Sequence, residues 1–231
     1  MIRCVSFDAD GTVLDFEGTM RASLAQSLAE IRAAVPGAAA NALTVERLIA
    51  IRGEVAAELR GRVLAMEEIR LLAFERTLME IGALDPALAA HLTDSYLQRR
   101  FGQVRLYPDA VPVLDALAAV GYRLGLATNG NSYPERCGLA GRFDFVVLAQ
   151  DVGFEKPDAR FYRAVIAAAG VPPGQIAHVG DSPVNDVQGA RAAGLRTVWL
   201  DRDRARDAAV RADVSISSLA ELPDALAALS L

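Results

Sequence analysis

The chain predicts an α/β fold, a parallel sheet covered by helices on both faces, into which an all-helical block is inserted. Three observations carry this prediction. The chain opens on Ile2-Arg3-Cys4-Val5-Ser6-Phe7, a short apolar run with β-branched and aromatic members that has the character of a buried strand. From about residue 18 to residue 101, apolar residues recur at three- and four-residue spacing with no convincing strand. From Leu106 onward, short apolar runs alternate with helical patterns, which argues for a parallel sheet. The opening strand has no partner in the helical stretch behind it. The simplest arrangement joins it to the later sheet and sets the helices apart as a cap. The expected division is 1–16 with 102–231 for the core and 17–101 for the cap.

Local signals place the elements in order. A first cap helix covers roughly Thr19 to Val35 and stops at Pro36-Gly37. A second starts near Thr44, whose hydroxyl suits an N-cap. A third runs from about Arg62 to Ile81 and closes at Gly82, and a fourth follows Asp85-Pro86, a cap-then-N1 pair, to about Arg100. In the core, a helix from Asp109 to Val120 precedes strands at Tyr122–Ala127 and Asp144–Ala149. A helix at Asp158–Ala169, a strand at Ile176–Val179, a helix at Val184–Ala193 and a strand at Leu195–Leu200 follow. A last strand, Asp213–Ile216, leads into a C-terminal helix capped near Ser218.

Composition narrows the function classes. The chain has 231 residues, 52% of them hydrophobic, and a net charge of −5, which argues against nucleic acid or an anionic membrane as the main partner. No apolar stretch has the length of a membrane span, and no signal segment precedes the first strand. Two cysteines, Cys4 and Cys137, give neither a disulfide framework nor a cysteine zinc site and point to a reduced, cytoplasmic setting. Lys156 is the only lysine among 24 basic residues. A compact point charge is thus kept at one position where every other cation is arginine.

Ligands of open parallel sheets bind beyond the carboxyl ends of the strands. Here the first strand ends in Asp8-Ala9-Asp10-Gly11-Thr12, two carboxylates one residue apart with a glycine behind them. Such a pair is costly unless a positive charge lies between its members, and a divalent cation with oxygen ligands is the usual remedy. The second strand ends at Thr128-Asn129-Gly130, the third leads through Asp151 to Lys156-Pro157, and the fourth ends at Gly180-Asp181-Ser182 with Asp186 close behind. Together these residues suit phosphoryl transfer. Asp8, Asp181 and the backbone carbonyl of Asp10 can hold Mg²⁺. Thr128 with the amides of Asn129 and Gly130 can cradle phosphate oxygens, and Lys156 can neutralise the phosphate and stabilise Asp8. Of Asp8 and Asp10, one is then the nucleophile and the other the proton carrier.

The four motifs, in this order and at these strand ends, resemble the haloacid dehalogenase (HAD) superfamily over the whole chain. They are Asp8 to Thr12, Thr128, Lys156, and Gly180-Asp181 through Asp186; Gly189-Ala190-Arg191-Ala192-Ala193-Gly194 looks like the helix that follows the fourth motif. The resemblance implies a Rossmann-like three-layer core with a helical cap inserted after the first motif. It implies Asp8 as nucleophile and Asp10 as general acid and base. Thr128 and Lys156 would orient phosphate, Asp181 would complete the metal ligands, and Asp186 would support the metal shell or Lys156. The implied activity is Mg²⁺-dependent hydrolysis of a small phosphomonoester by a monomer or homodimer.

Dehalogenases of the superfamily lack the second aspartate, so Asp10 favours a phosphatase. A phosphomutase or a non-catalytic binding module stays open, and the absence of a cap lysine sets aside phosphonate cleavage. Sugar phosphates, nucleoside monophosphates, flavin mononucleotide and phosphoglycolate all remain as substrates. In the cap, Arg52, Arg60, Arg62 and Arg70 can reach a negative substrate group, although exposed helix arginines are common. Ser182 reads as a helix cap, His178 as a buried, satisfied core histidine, His91 as a surface residue and Trp199 as sheet packing.

Overall fold

The computed structural model describes residues 1–59, 62, 65–204, 207 and 209–229. The chain forms two units, Met1–Asp15 with Arg105–Leu231, and Phe16–Val104. Arg60 lies outside the described residues.

The first unit is built on a sheet that has six strands among the described residues: β1 (Cys4–Phe7), β2 (Arg123–Thr128), β3 (Phe145–Leu148), β4 (Ile176–Gly180), β5 (Arg196–Leu200) and β6 (Val214–Ile216). Their order is β3-β2-β1-β4-β5-β6 and every pairing is parallel. β1 and β4 are buried along their whole lengths, as strands covered on both faces must be. This is why they read as near-continuous apolar runs. β1 lies between β2 and β4, with Phe7 level with Leu126 on one side and Val179 on the other. The Asp8 N–H continues the ladder by donating to the Val179 carbonyl at 2.8 Å. The carboxyl ends of β1, β2 and β4 therefore open side by side.

The helical unit contains α1 (Phe16–Ala34), α2 (Ala38–Ala42), α3 (Val45–Glu58), α4 (Met66–Glu80) and α5 (Pro86–Gly102). Thr44 caps α3 by accepting from Arg47 N at 3.1 Å, and Asp85 caps α5 by accepting from Ala87 N and Leu88 N. The short α2 was not expected from the sequence, and α4 starts later than the pattern suggested, leaving Arg62 ahead of it. Leu24, Leu28, Ile31, Phe74, Leu78, Leu92 and Tyr96 form the buried centre of this unit. His91 is exposed on α5.

The remaining helices are α6 (Ala110–Ala119), α7 (Ala149–Val152), α8 (Ala159–Ala169), α9 (Gly189–Ala192) and α10 (Leu222–Ala228). Ser218 accepts from Ala220 N at the start of the turn that leads into α10. The helix expected at Val184–Ala193 is present but not uniform. Residues Pro183–Gln188 wind as a π-helix, with Val187 N reaching the Ser182 carbonyl, before α9 tightens. Such wide turns concentrate at functional sites.

Candidate active site

β1 ends at Asp8, and the turn after it is made possible by Gly11. Its φ of +85° belongs to the left-handed region, and a Cβ there would stand 2.6 Å from Asp181 Oδ2. Glycine thus lets the loop after β1 lie directly against the first acid after β4.

Lys156 is the electrostatic centre. Its side chain is almost wholly buried, and its Nζ lies 2.5 Å from Asp8 Oδ1 and 2.6 Å from Asp186 Oδ1. Burial alone would lower the ammonium's pKa, but the Asp186 and Asp8 carboxylates outweigh it and hold Lys156 well above its usual range. The same balance acts on Asp186. Burial pushes it up, while the Lys156 charge and the His178 N–H prevail and hold it well below the carboxylate range. Asp8 goes the other way. Burial raises it, the neighbouring Asp186 and Asp181 charges add to that, and Lys156 only partly opposes them.

Asp186 is gripped at both oxygens. Oδ1 accepts from Lys156 and lies 3.1 Å from His178 Nε2, and Oδ2 accepts from Ser182 N at 2.9 Å. Gly180 allows this, since a Cβ there would lie 2.2 Å from the Asp186 Cγ. The carboxylate offers no proton, so His178 must donate from Nε2. In the neutral ring Nδ1 then accepts from Ser6 Oγ, 2.8 Å away. Burial lowers the His178 pKa despite Asp186, in keeping with a neutral ring. Ser6 and His178 are register partners on β1 and β4, so the relay Ser6–His178–Asp186–Lys156–Asp8 runs from inside the sheet to its carboxyl edge. His178 is buried and satisfied, as its sequence setting suggested.

The loop after β2 supplies a second arm. Thr128 is buried, and its Oγ1 accepts from Gly130 N at 3.0 Å, which leaves the hydroxyl proton for an outside acceptor. The Gly130 N–H, expected to face a phosphate, is committed to that bond. The Asn129 side chain points toward Lys156: it donates to the Lys156 carbonyl and accepts from its N–H. Ser132, which the sequence did not single out, donates to Asp10 Oδ1 at 2.7 Å. Ser182 accepts from Asn185 N as a cap, and Trp199 is buried with its Nε1 donating to the Asp181 carbonyl.

Asp8, Asp181 and Asp186 place carboxylate oxygens within 4.8 Å of one another. The Asp181 side chain is open to solvent, yet the protein packed around it and the Asp186 charge push its carboxyl up to about 6. Asp8 and Asp186 meet the Lys156 ammonium, and the Asp181 carboxylate feels the charges of Asp186 and Asp10. Hard oxygen donors in negative excess fit a divalent cation such as Mg²⁺. Asp186 is near enough to join, but its bonds to Lys156, His178 and Ser182 leave Asp8 and Asp181 as the better-placed carboxylates.

A sheet in this order carrying these residues at its strand ends defines the class of a Rossmann-like hydrolase, and comparison with known proteins agrees. A family model described as haloacid dehalogenase-like hydrolase matches residues 2–194. The chain belongs to this family. It is 30% identical to the glyceraldehyde 3-phosphate phosphatase of Methanopyrus kandleri over 92% of this chain and 90% of that one. It is 37% identical to the phosphoserine phosphatase of Thermus thermophilus over 64% of its length, a match that spans 61% of that phosphatase. The crystal structure of a 2-haloacid dehalogenase from Pseudomonas syringae superposes with a TM-score of 0.78 at 32% identity, covering 99% of both chains. Among the described residues no helix is long and apolar enough to cross a membrane.

Proposed function

We propose that this protein is a Mg²⁺-dependent phosphatase that hydrolyses a small phosphomonoester through an aspartyl-phosphate on Asp8. The observation that carries the proposal is the Lys156 ammonium bridging Asp8 and Asp186 beside Asp181. The relatives named as phosphatases support it.

Asp8 must be ionised to attack phosphorus. Burial works against this and the adjacent Lys156 works for it. Bound Mg²⁺, held by Asp8, the Asp10 carbonyl and Asp181, would screen the phosphate's charge from the carboxylates. A carboxylate oxygen of Asp8 attacks the phosphorus as the ester P–O bond breaks, and Asp10 gives its proton to the departing alkoxide. Asp10, now ionised, takes a proton from water as that water attacks the aspartyl-phosphate, which releases inorganic phosphate and regenerates Asp8. Thr128 and Lys156 donate to the phosphate oxygens. Asn129 orients Lys156, and Asp186 keeps it protonated.

The test is phosphate release from a panel of phosphorylated metabolites, with and without Mg²⁺. Asp8→Asn should abolish it, and Asp10→Asn should slow it by about 10²- to 10⁴-fold. Activity of Asp8→Asn equal to the parent rejects the nucleophile. The dehalogenase likeness supports a second reading, hydrolysis of a 2-haloacid. Halide release from 2-chloropropionate without Mg²⁺ would favour it. The second carboxylate at Asp10, anchored by Ser132, favours the phosphatase.

A further inference from the structure

The loop after β1 is not held by its own side chain. Thr12 is fully buried, and among the described residues its hydroxyl has no hydrogen-bond partner. Within the loop, the Thr12, Val13 and Leu14 amides turn back to the Ala9 carbonyl, and the Gly11 N–H donates to the Leu14 carbonyl. The Thr12 carbonyl accepts from Arg202 Nη2 at 2.8 Å, across 190 positions of sequence.

Arg202 leaves the carboxyl end of β5, where the Asp201 N–H still donates to the Ile216 carbonyl of β6. Its guanidinium meets both oxygens of Asp109, each at 3.1 Å, and its Cζ lies 3.7 Å from the centre of the Tyr107 ring. Asp109 also accepts from the Ser218 hydroxyl and the Leu219 N–H, so the start of α6 and the turn into α10 close around one carboxylate. Burial raises Asp109, but Arg202 and Ser218 outweigh it and hold it below its ordinary value. The side chains of the pair are only 19% and 16% exposed, so this is not a contact that solvent screens away. A planar fork can serve a carboxylate and a carbonyl at once, which an ammonium on a flexible stem does not.

β5 holds a second loop of the site in the same way. Trp199, level with Gly180 of β4, donates to the Asp181 carbonyl at 2.9 Å. Trp199 and Arg202 thus each fix a backbone carbonyl, one in the loop after β4 and one in the loop after β1. Those loops carry Asp181, Asp8 and Asp10, and they lie so close that a Cβ on Gly11 would meet Asp181. A side chain that touches no reacting group can still fix the groups that do.

We infer that Arg202 is a positioning residue: through the Thr12 carbonyl it sets the loop of Asp8 and Asp10 against Asp181, and so sets the affinity of the acidic cluster for a divalent cation. That the cluster takes up Mg²⁺ rests on the phosphatase reading; that Arg202 holds the loop does not.

The experiment reads binding and loop order in the intact protein, without turnover. In titration calorimetry with Mg²⁺ alone, Arg202→Met should raise the Kd by about 10- to 100-fold, the loss typical of a missing partner behind a metal ligand. Arg202→Lys keeps a cation for Asp109 but not the fork, and should lie between; it serves both measurements if Arg202→Met does not fold. Arg196→Met, which removes an exposed β5 arginine paired with Asp213, should match the parent. In NMR hydrogen exchange, the Gly11 to Leu14 amides should exchange about tenfold faster in Arg202→Met while the β1 amides keep the parent rate. A Kd equal to the parent's in both Arg202 variants overturns the inference. So does loop exchange that is unchanged, or that rises equally through the sheet and assigns Arg202 to global stability. If the parent takes up no Mg²⁺ and the Gly11 to Leu14 amides still quicken alone, the metal reading fails and the hold on the loop stands.

Discussion

The Asn129 side chain clasps the backbone of Lys156, donating from Nδ2 to its carbonyl at 3.0 Å and accepting from its N–H at 2.7 Å at Oδ1. Two loops from different strands are thereby held in register, and the lysine is fixed before any ligand arrives. Asn129→Ala leaves both backbone groups unpaired. It should reduce kcat/KM for phosphate release by about 10- to 100-fold, the cost of a buried pair left unsatisfied. Circular dichroism should show the fold retained; full activity would refute the orienting role.

Lys156 itself bears on stability. Lys156→Met leaves Asp8 and Asp186 buried without their cation and should cost about 3–5 kcal/mol at neutral pH, measured by urea unfolding. The deficit should shrink toward pH 5 as a carboxylate takes up a proton. A loss that does not change with pH would show that packing, rather than charge, is what the lysine supplies.

Ser132 should act on one step. If its bond to Asp10 aims the general acid, Ser132→Ala slows release of a poor leaving group such as an alkyl alcohol by about tenfold to a hundredfold. The loss on p-nitrophenyl phosphate should be smaller, because that leaving group needs little protonation. Ser132→Thr should recover part of the difference. Equal losses on the two esters would assign Ser132 to folding alone.

The acidic cluster predicts opposite pH trends with and without metal. Asp181 is pushed up to about 6, so the folded state holds a proton between its ordinary carboxyl range and that value. Its contribution to stability is therefore present at low pH and lost as pH rises through about 6. Mg²⁺ needs the ionised form, so the gain in Tm on adding Mg²⁺ should grow from pH 5 to pH 7. Thermal unfolding across that range checks this, and an increment that stays constant counts against Asp181 as a ligand.

The sheet and the main helices were legible because β1 and β4 are buried on both faces and the helix starts carry explicit caps at Thr44, Asp85 and Asp158. Asp8, Lys156, Asp181 and Asp186 stood out because acids at strand ends and a solitary lysine are chemically conspicuous. The helix α2 follows Pro36-Gly37 and is too short to show a period, and α7 spans a single turn before Gly153. The π-winding before α9 carries Asp186, whose carboxylate is held by Lys156 and by His178 of β4, contacts that a local pattern does not encode. Ser132 was hidden because its aim depends on the path of the loop after Thr128. Arg70, named from the sequence among arginines expected on exposed helix faces, is instead buried on a face shared with Ala73, Phe74 and Thr77, a position its spacing from those residues already marks.

The strand order also sets when this site can exist. Cys4 pairs with Arg123 on one side and Ile176 on the other, so β1 waits for more than a hundred residues of chain before either edge is filled. The helical unit, by contrast, is one uninterrupted segment ending at Val104. During synthesis its contacts are local and become available early, while closing the long loops onto β1 is slow and carries a large entropy cost. Until β4 docks, Asp8 has neither its ladder bond to Val179 nor Asp186 beside Lys156. Asp8 therefore stands without its cation and its acidic neighbours until the last third of the chain has been made.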